Sequence, residues 1–142
     1  MRTVTVQYDE SILHVVKEVL GHCPDLLFAY VHGSFLSSAA PRDIDVAIYL
    51  NPGRYDDLVA EGELNLGFAI PLEMKLEAIG GHRADIQVLN GAPLSFRYRV
   101  ISSGVVVVDV DPNARAEFES LSRGEYFDFR PRREEYMREV MA

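Results

Sequence analysis

Apolar residues near the N-terminus recur at the spacing of one helical face. They extend from Ile12 to Leu20, follow the polar segment Asp9-Glu10-Ser11 and are followed by Gly21. Short polar side chains often cap the start of a helix, and glycine often ends one. The pattern therefore predicts a capped amphipathic helix that begins near residue 10 and ends at Gly21.

Four shorter segments have the composition of strands, because apolar, β-branched and aromatic residues dominate them and turn residues bound them. They cover residues 26–31, 43–50, 84–89 and 105–110. The second is stopped by Asn51-Pro52-Gly53, and the fourth is entered through Ser103-Gly104. We therefore predict four strands and expect the first to be buried.

Helical patterns lie between these strands and after the last one. Residues 54–79 have a helical pattern that is interrupted near Pro71 and closed by Gly80-Gly81, and residues 94–102 have a shorter one. From residue 113 the chain is helical and charged, with an expected break near Gly124 and Pro131. Because strands and helices alternate and no linker divides them, we predict one α/β (or α+β) domain over residues 1–142 with one central sheet.

Composition and length agree with a single soluble domain. The chain has 142 residues, of which 48% are hydrophobic and 25% charged. Neither a secretory signal nor a bilayer-length apolar run is visible, and the single cysteine, Cys23, excludes an internal disulfide and a multi-cysteine metal site. We therefore expect a cytoplasmic protein that does not contact a membrane.

The formal net charge of −8 limits the kinds of partner. Nonspecific binding to nucleic acid needs cationic side chains against phosphate, so an acidic chain disfavours it. The same charge favours metal cations and a basic partner. We therefore expect no direct contact with nucleic acid.

Two aspartates open the second predicted strand. Because strand side chains alternate, Asp43 and Asp45 share one face, while Ile44 and the apolar residues that follow it at every second position can fill the core. Carboxylates at i and i+2 suit a hard cation such as Mg²⁺, which often completes its shell with water and substrate phosphates. The pair is therefore a candidate metal site for an in-line displacement at phosphorus.

Gly33-Ser34 lies just past the first predicted strand, after His32. Gly33 lets the backbone approach a ligand closely, and Ser34 offers a hydroxyl and an N–H that can hold a polyphosphate. Asp85 adds a third carboxylate at the start of another predicted strand. On a strand beside that of Asp43 it would reach the same metals, as a ligand or as the base that accepts the proton of an attacking hydroxyl.

The order Gly33-Ser34, Asp43-x-Asp45 and a later strand aspartate resembles the signature of the DNA polymerase β-like nucleotidyltransferase superfamily. Within it, the chain is most similar to minimal nucleotidyltransferases of the MntA antitoxin type. The similarity extends over most of the length and includes the segments ADIQVLN, VISSGVVVVDVD and RGEYFDF. The resemblance implies a nucleotidyltransferase fold, in which helices flank a central mixed β-sheet.

The resemblance also implies an activity and a partner. Relatives of this type are antitoxins of HEPN-domain (HepT) toxins, which implies Mg²⁺-dependent transfer of AMP from ATP to a toxin tyrosine within a hetero-oligomer. It assigns Asp43, Asp45 and Asp85 to metal binding and catalysis, and Gly33 and Ser34 to the nucleotide. The chain departs from the family pattern in its short spacer, residues 35–42, which lacks the usual second glycine and ends in Arg42.

Two alternatives remain open on sequence alone. A nucleotidyltransferase can act on a small molecule such as an aminoglycoside, although such enzymes usually carry a second domain around the acceptor. The altered spacer also favours a catalytically weak module that neutralises a toxin by contact alone.

Several other motifs have simpler interpretations. Asp109 and Asp111 close a strand before Pro112, so we predict a turn and a helix cap. The four histidines lack metal-ligand spacing, although His32 adjoins the candidate site. Lys75 is expected on a solvated helical face, and Arg97 and Arg99 are interpreted as surface or partner contacts. The apolar stripe from Leu58 to Leu76 is most simply core.

Overall fold

The computed structural model describes residues 10–36 and 43–141, apart from the side chains of Ser34 and Arg130. The N-terminal segment with Asp9 and most of the spacer, including Arg42, lie outside the described residues. The strands are β1 (Leu26–His32), β2 (Asp43–Leu50), β3 (Arg83–Val88) and β4 (Val105–Asp109). The helices are α1 (Glu10–Gly21), α2 (Pro52–Glu61), α3 (Ile70–Gly80), α4 (Leu94–Ser103) and α5 (Pro112–Met141). A 3-10 turn covers Gly33–Leu36, and a π-helical segment covers Leu64–Ala69.

The four strands form one mixed sheet in the order β3-β2-β1-β4. β1 lies antiparallel to both β2 and β4, whereas β2 and β3 are parallel. This confirms the predicted fold class, a central mixed β-sheet flanked by helices. Because β2 and β3 are parallel neighbours, their first residues lie at the same edge of the sheet.

The alternation along β2 sorts its side chains between two cores. Ile44, Val46, Ile48 and Leu50 pack with apolar residues of α1 and α3 on one face. The opposite face carries Ala47, which packs with Phe28 and Tyr30 of β1 and with residues of α4 and α5. Asp43 and Asp45 belong to this second face, at the end of the strand that the apolar cluster does not cover.

The helical stretch before β3 is interrupted earlier than the sequence predicts. α2 is capped by Gly62, which follows its last residue and has a left-handed φ of 70°, and the chain then enters the π-helical segment. Pro71 does not break the structure but stands in the first turn of α3, a position where proline is tolerated. The helical stretch is therefore interrupted at the glycine that ends α2 and not at Pro71.

The expected break in the C-terminal tail is wrong, since α5 continues through both Gly124 and Pro131. Contacts with α4 hold the helix near Gly124: Arg97 donates to Ser122 at 3.3 Å, and Tyr98 stacks on Tyr126 with ring centroids 3.8 Å apart. Tertiary packing therefore outweighs the low helix propensity of glycine. No described helix is both long and apolar enough to span a membrane.

Candidate functional site

Two of the predicted site carboxylates lie side by side at the edge of the sheet. In the parallel register of β2 and β3, Asp45 is the partner of Asp85, and Asp43 is the partner of Arg83. Asp45 is half-buried, whereas Asp43 and Asp85 are exposed. The structure therefore brings Asp43, Asp45 and Asp85 to one edge and one face, as expected from alternation and from a neighbouring strand.

Gln87 connects Asp45 and Asp85. Its amide nitrogen donates to Asp45 Oδ1 at 3.3 Å and forms a short hydrogen bond to Asp85 Oδ2. Gln87 lies two residues after Asp85 on β3, so both side chains share a face. The two carboxylates are thus held together by one uncharged donor.

His32 completes the network from the other side. The ring Nε2 of His32 lies 2.7 Å from Gln87 Oε1, and in the antiparallel register His32 is the partner of Asp45. The imidazole is 8% exposed and meets the ring of Phe96 edge-on at 5.6 Å. The network therefore links β1, β2 and β3 at the carboxylate edge.

Gly33 is constrained both by its backbone and by the space around it. Its φ is +79°, a value that residues with a Cβ rarely adopt, and a Cβ built there would lie 2.5 Å from Asp45 Oδ2. Glycine thus allows the turn after β1 to pass directly against the carboxylate of Asp45. Ser34 is the next residue of this turn, but its side chain lies outside the described structure.

A cavity of about 400 Å³ opens beside these groups. Its walls come from β1 and the turn after it, from β2 and β3, and from α4. The lining residues are His32, Gly33, Asp45, Gln87, Phe96, Arg99 and Ser103. The guanidinium of Arg99 lies 5.5 Å from the centre of the Phe96 ring. The cavity therefore has an acidic wall on the sheet and an aromatic and cationic wall on α4.

The charges of the three aspartates are not balanced by the described protein. Within residues 10–36 and 43–141, no Lys or Arg forms an ion pair with Asp43, Asp45 or Asp85. Clustered carboxylates without a cationic partner are unfavourable unless a cation compensates them, and Mg²⁺ prefers carboxylate oxygens. The donor chemistry therefore fits Mg²⁺. In the same ranges, however, no three His, Cys, Asp or Glu side chains already converge as ligands of one ion.

Sequence reasoning did not assign three of the residues around this cavity. It gives no role to Gln87 or Phe96, and it interprets Arg99 as a surface or partner contact. The alternation of β3 carries a signal for Gln87, because every second residue from Asp85 faces the same way. Nothing comparable marks Phe96 or Arg99, since their position depends on how α4 packs against β1.

The remaining sequence predictions fall outside this cavity. Asp111 caps α5 by accepting from the backbone N–H of Ala114 at 3.1 Å, and Asp109 pairs with Arg115, which confirms the predicted turn and cap. Lys75 lines a different cavity of about 650 Å³ between α1 and α3. Within the Leu58–Leu76 stripe, Leu58, Ala69, Leu72 and Leu76 are core residues, whereas Leu66, Ile70 and Met74 are exposed.

Residues 14–113 match the family described as polymerase beta, nucleotidyltransferase. Because this span covers most of the chain, the chain belongs to that nucleotidyltransferase family. The match includes the Gly33-Ser34 turn, the Asp43-x-Asp45 motif and Asp85. No curated protein sequence matches the chain significantly.

Solved structures of toxin–antitoxin complexes have a similar fold. A chain of the MntA–HepT complex is 18% identical, with a TM-score of 0.63 over 94% of this chain and 100% of that one. A chain from the tri-AMPylated Shewanella oneidensis HEPN toxin in complex with MNT antitoxin is 18% identical, with a TM-score of 0.63 over 94% of this chain and 98% of that one. A toxin–antitoxin structure with AMP-PNP is 20% identical, with a TM-score of 0.63 over 92% and 98%. At these identities the likeness establishes the fold.

Proposed function

We propose that this chain is a Mg²⁺-dependent protein adenylyltransferase that transfers AMP from ATP to a tyrosine of a HEPN-type (HepT) toxin and so acts as its antitoxin. Membership of the nucleotidyltransferase family supports the reaction class. Likeness along nearly the whole chain to toxin–antitoxin structures, one with a tri-AMPylated HEPN toxin and one with AMP-PNP, supports the partner and the nucleotide.

One observation carries the proposal most directly. Asp45 and Asp85 lie side by side, Asp45 lies against Gly33, and no described Lys or Arg forms an ion pair with either carboxylate. A fold that needed these carboxylates only for stability would be expected to pair them, because unpaired clustered charge is unfavourable. The arrangement instead leaves negative charge available to a cation that arrives with the nucleotide.

The residues have different roles in this scheme, and Asp85 takes part both in metal binding and in proton transfer. Asp43, Asp45 and Asp85 would hold Mg²⁺, which supplies charge neutralisation for the phosphates and for the oxygens of an in-line displacement. The turn at Gly33-Ser34 would hold the polyphosphate with its backbone and the Ser34 hydroxyl. Arg99, on the opposite wall of the cavity, is placed to meet phosphate charge.

The transfer step involves the toxin tyrosine, ATP and Asp85 of this chain. The tyrosine oxygen forms a bond to the α-phosphorus of ATP, and the bond from that phosphorus to the bridging oxygen breaks as pyrophosphate leaves. The phenol has an ordinary pKa of about 10 and is a poor nucleophile at neutral pH. Asp85, which is exposed at the sheet edge, would accept its proton as the new bond forms.

The charge of the chain fits such a partner. Its net charge of −8 would steer it towards a basic protein, which an RNA-cleaving toxin is expected to be. An AMP group on the toxin would add negative charge and bulk, which would repel RNA from a nearby cleavage site.

Co-expression with the product of the neighbouring gene, followed by intact-mass measurement, tests the proposal. We expect the partner to gain one or more AMP units and to gain none when Asp43→Asn and Asp45→Asn are combined. Asp56→Asn with Asp57→Asn is the matched control, because it removes the same charge from exposed positions of α2. Modification by the Asp43 and Asp45 variant at the level of the control would refute the proposed chemistry.

A second candidate is a binding module that neutralises the toxin without modifying it. The observation in its favour is that no three potential ligands converge as an ion site within residues 10–36 and 43–141. Neutralisation with an unmodified partner mass would support it. If labelled ATP and Mg²⁺ gave no transfer to the neighbouring protein and no interaction with it, small acceptors such as aminoglycosides would be tested next.

A further inference from the structure

The hydrogen bonds of Gln87 divide the oxygens of the two adjacent carboxylates. Gln87 occupies Oδ1 of Asp45 and Oδ2 of Asp85. The second oxygen of Asp45, Oδ2, faces the backbone of Gly33. Gln87 therefore holds one oxygen of each carboxylate.

His32 fixes the orientation of the Gln87 amide. Carboxylates only accept hydrogen bonds, so the NH₂ group of Gln87 faces Asp45 and Asp85 and its oxygen faces His32. His32 must then donate from Nε2 across the 2.7 Å contact. Because the imidazole is buried and lies edge-on against Phe96, its own position is restricted by packing.

We propose that Gln87 is a positioning residue that holds Asp45 and Asp85 together as a pair of cation ligands, and that His32 acts through Gln87. The inference rests on the proposed Mg²⁺ site and adds the residues that shape it. Carboxylates that bind metals are commonly held by hydrogen bonds of this kind, and losing such a partner typically costs about 10–100-fold in metal affinity or activity.

Binding of Mn²⁺ alone, followed by electron paramagnetic resonance on the full chain, tests this inference without catalysis. We expect Gln87→Leu to weaken Mn²⁺ binding by about 10–100-fold. Gln87→Asn provides a second variant that keeps the amide but is one methylene shorter, and it should also weaken binding. Asp57→Asn is the control and should bind as the unaltered chain does.

A double-mutant cycle tests the role of His32. His32→Leu should weaken Mn²⁺ binding less than Gln87→Leu, and His32→Gln, which keeps an N–H donor, should recover part of the loss. When His32→Leu is combined with Gln87→Leu, binding should be no weaker than with Gln87→Leu alone. Independent, additive losses would show that His32 does not act through Gln87.

The outcomes separate this inference from the proposed function. If the unaltered chain binds Mn²⁺ and Gln87→Leu weakens binding, but no AMP is transferred, the positioning role stands and the adenylyltransferase proposal fails. If folded Gln87→Leu and Gln87→Asn bind Mn²⁺ as tightly as the unaltered chain, the positioning role is overturned, whatever happens to transfer. Absence of Mn²⁺ binding by the unaltered chain would overturn it too.

Discussion

The chain contains two Asp-x-Asp motifs whose surroundings are opposite. Asp43 and Asp45 open β2, and no described cationic side chain pairs with them. Asp109 closes β4 and pairs with Arg115 at 2.9 Å, while Asp111 caps α5 through Ala114. The same three-residue pattern thus has partners within the fold at Asp109 and Asp111, but no described cationic partner at Asp43 and Asp45.

The contrast continues in the residues around each motif. Near Asp109, Glu119 accepts from Arg115 at 2.9 Å, lies 3.5 Å from Arg123 and accepts from the buried hydroxyl of Tyr30. Near Asp45, the described partner is the uncharged amide of Gln87. Charge balance within the fold therefore distinguishes a structural carboxylate from a candidate ligand better than the motif does.

A double substitution in each of the two Asp-x-Asp motifs is the strongest test of this contrast. Asp43→Asn with Asp45→Asn should reduce AMP transfer below detection and leave the melting temperature nearly unchanged, because the removed charges balance nothing in the fold. Asp109→Ala with Asp111→Ala should do the reverse. It should lower the free energy of unfolding by about 1–2 kcal/mol, since a helix cap and an ion pair are lost. Alanine is needed here because asparagine would still cap α5.

Transfer assays measure the activity of both double variants, and urea denaturation measures their free energy of unfolding. Equal losses of stability in the two variants would remove the distinction between the motifs. So would equal losses of transfer.

The contrast could be predicted from sequence in part, because neighbouring residues determine it. Pro112 after Asp111 indicates a helix start, and the apolar alternation from Ile44 to Leu50 places Asp43 and Asp45 together on one face. The bounds of β2 agree with the prediction for the same reason, since Asn51-Pro52-Gly53 is a strong stop.

Other features depended on tertiary contacts that a single sequence does not display. The meeting of His32 with Gln87 requires the order β3-β2-β1, which periodicity does not specify. The continuity of α5 through Gly124 requires the packing of Tyr98 on Tyr126. Local propensity predicts a break there, and side-chain contacts outside the local window prevent it.

Gly33→Ala tests the contact between the backbone of the turn after β1 and the carboxylate of Asp45. The added Cβ would occupy a left-handed position and displace the Asp45 carboxylate, so we expect transfer to fall by about 100-fold, the effect of a displacement near 1 Å. Gly124→Ala is the matched control, because no atom lies within 4 Å of the new Cβ. As a helix-interior replacement it should stabilise the chain by about 1 kcal/mol.

Steady-state transfer rates and melting curves measure both glycine variants. Full transfer by Gly33→Ala would mean that the contact between the turn and Asp45 is unimportant for the reaction.

Arg99→Ala tests whether the cavity lined by Asp45 and Arg99 receives phosphate. Losing one hydrogen bond to a charged group costs about 1.5–3 kcal/mol, so nucleotide affinity should fall by roughly 10–100-fold. Calorimetric titration with AMP-PNP measures this loss, and Arg132→Ala, an exposed change on α5, serves as control. An unchanged affinity would place the nucleotide away from this wall.

Tyr30→Phe tests the region around Glu119, where the charges are paired within the fold. It should have the smallest effect of these substitutions. Burial, reinforced by the hydrogen bond to Glu119, raises the pKa of Tyr30 well above its ordinary value of 10. Above about pH 10 an unfolded tyrosine loses its proton while folded Tyr30 keeps it, so the free energy of unfolding falls as the pH rises. Tyr30→Phe should therefore flatten this fall, and should cost about 1 kcal/mol at neutral pH for the lost hydrogen bond.

Urea denaturation below and above pH 10 measures both effects of Tyr30→Phe. Part of the fall should remain in the variant, because burial also raises the pKa of Tyr49. Tyr136→Phe, on an exposed part of α5, is the control and should alter neither quantity. AMP transfer should persist in Tyr30→Phe, since Glu119 keeps both arginine partners and the Asp45 region is not touched. If Tyr30→Phe abolished transfer without loss of stability, the two regions would not be separate in function.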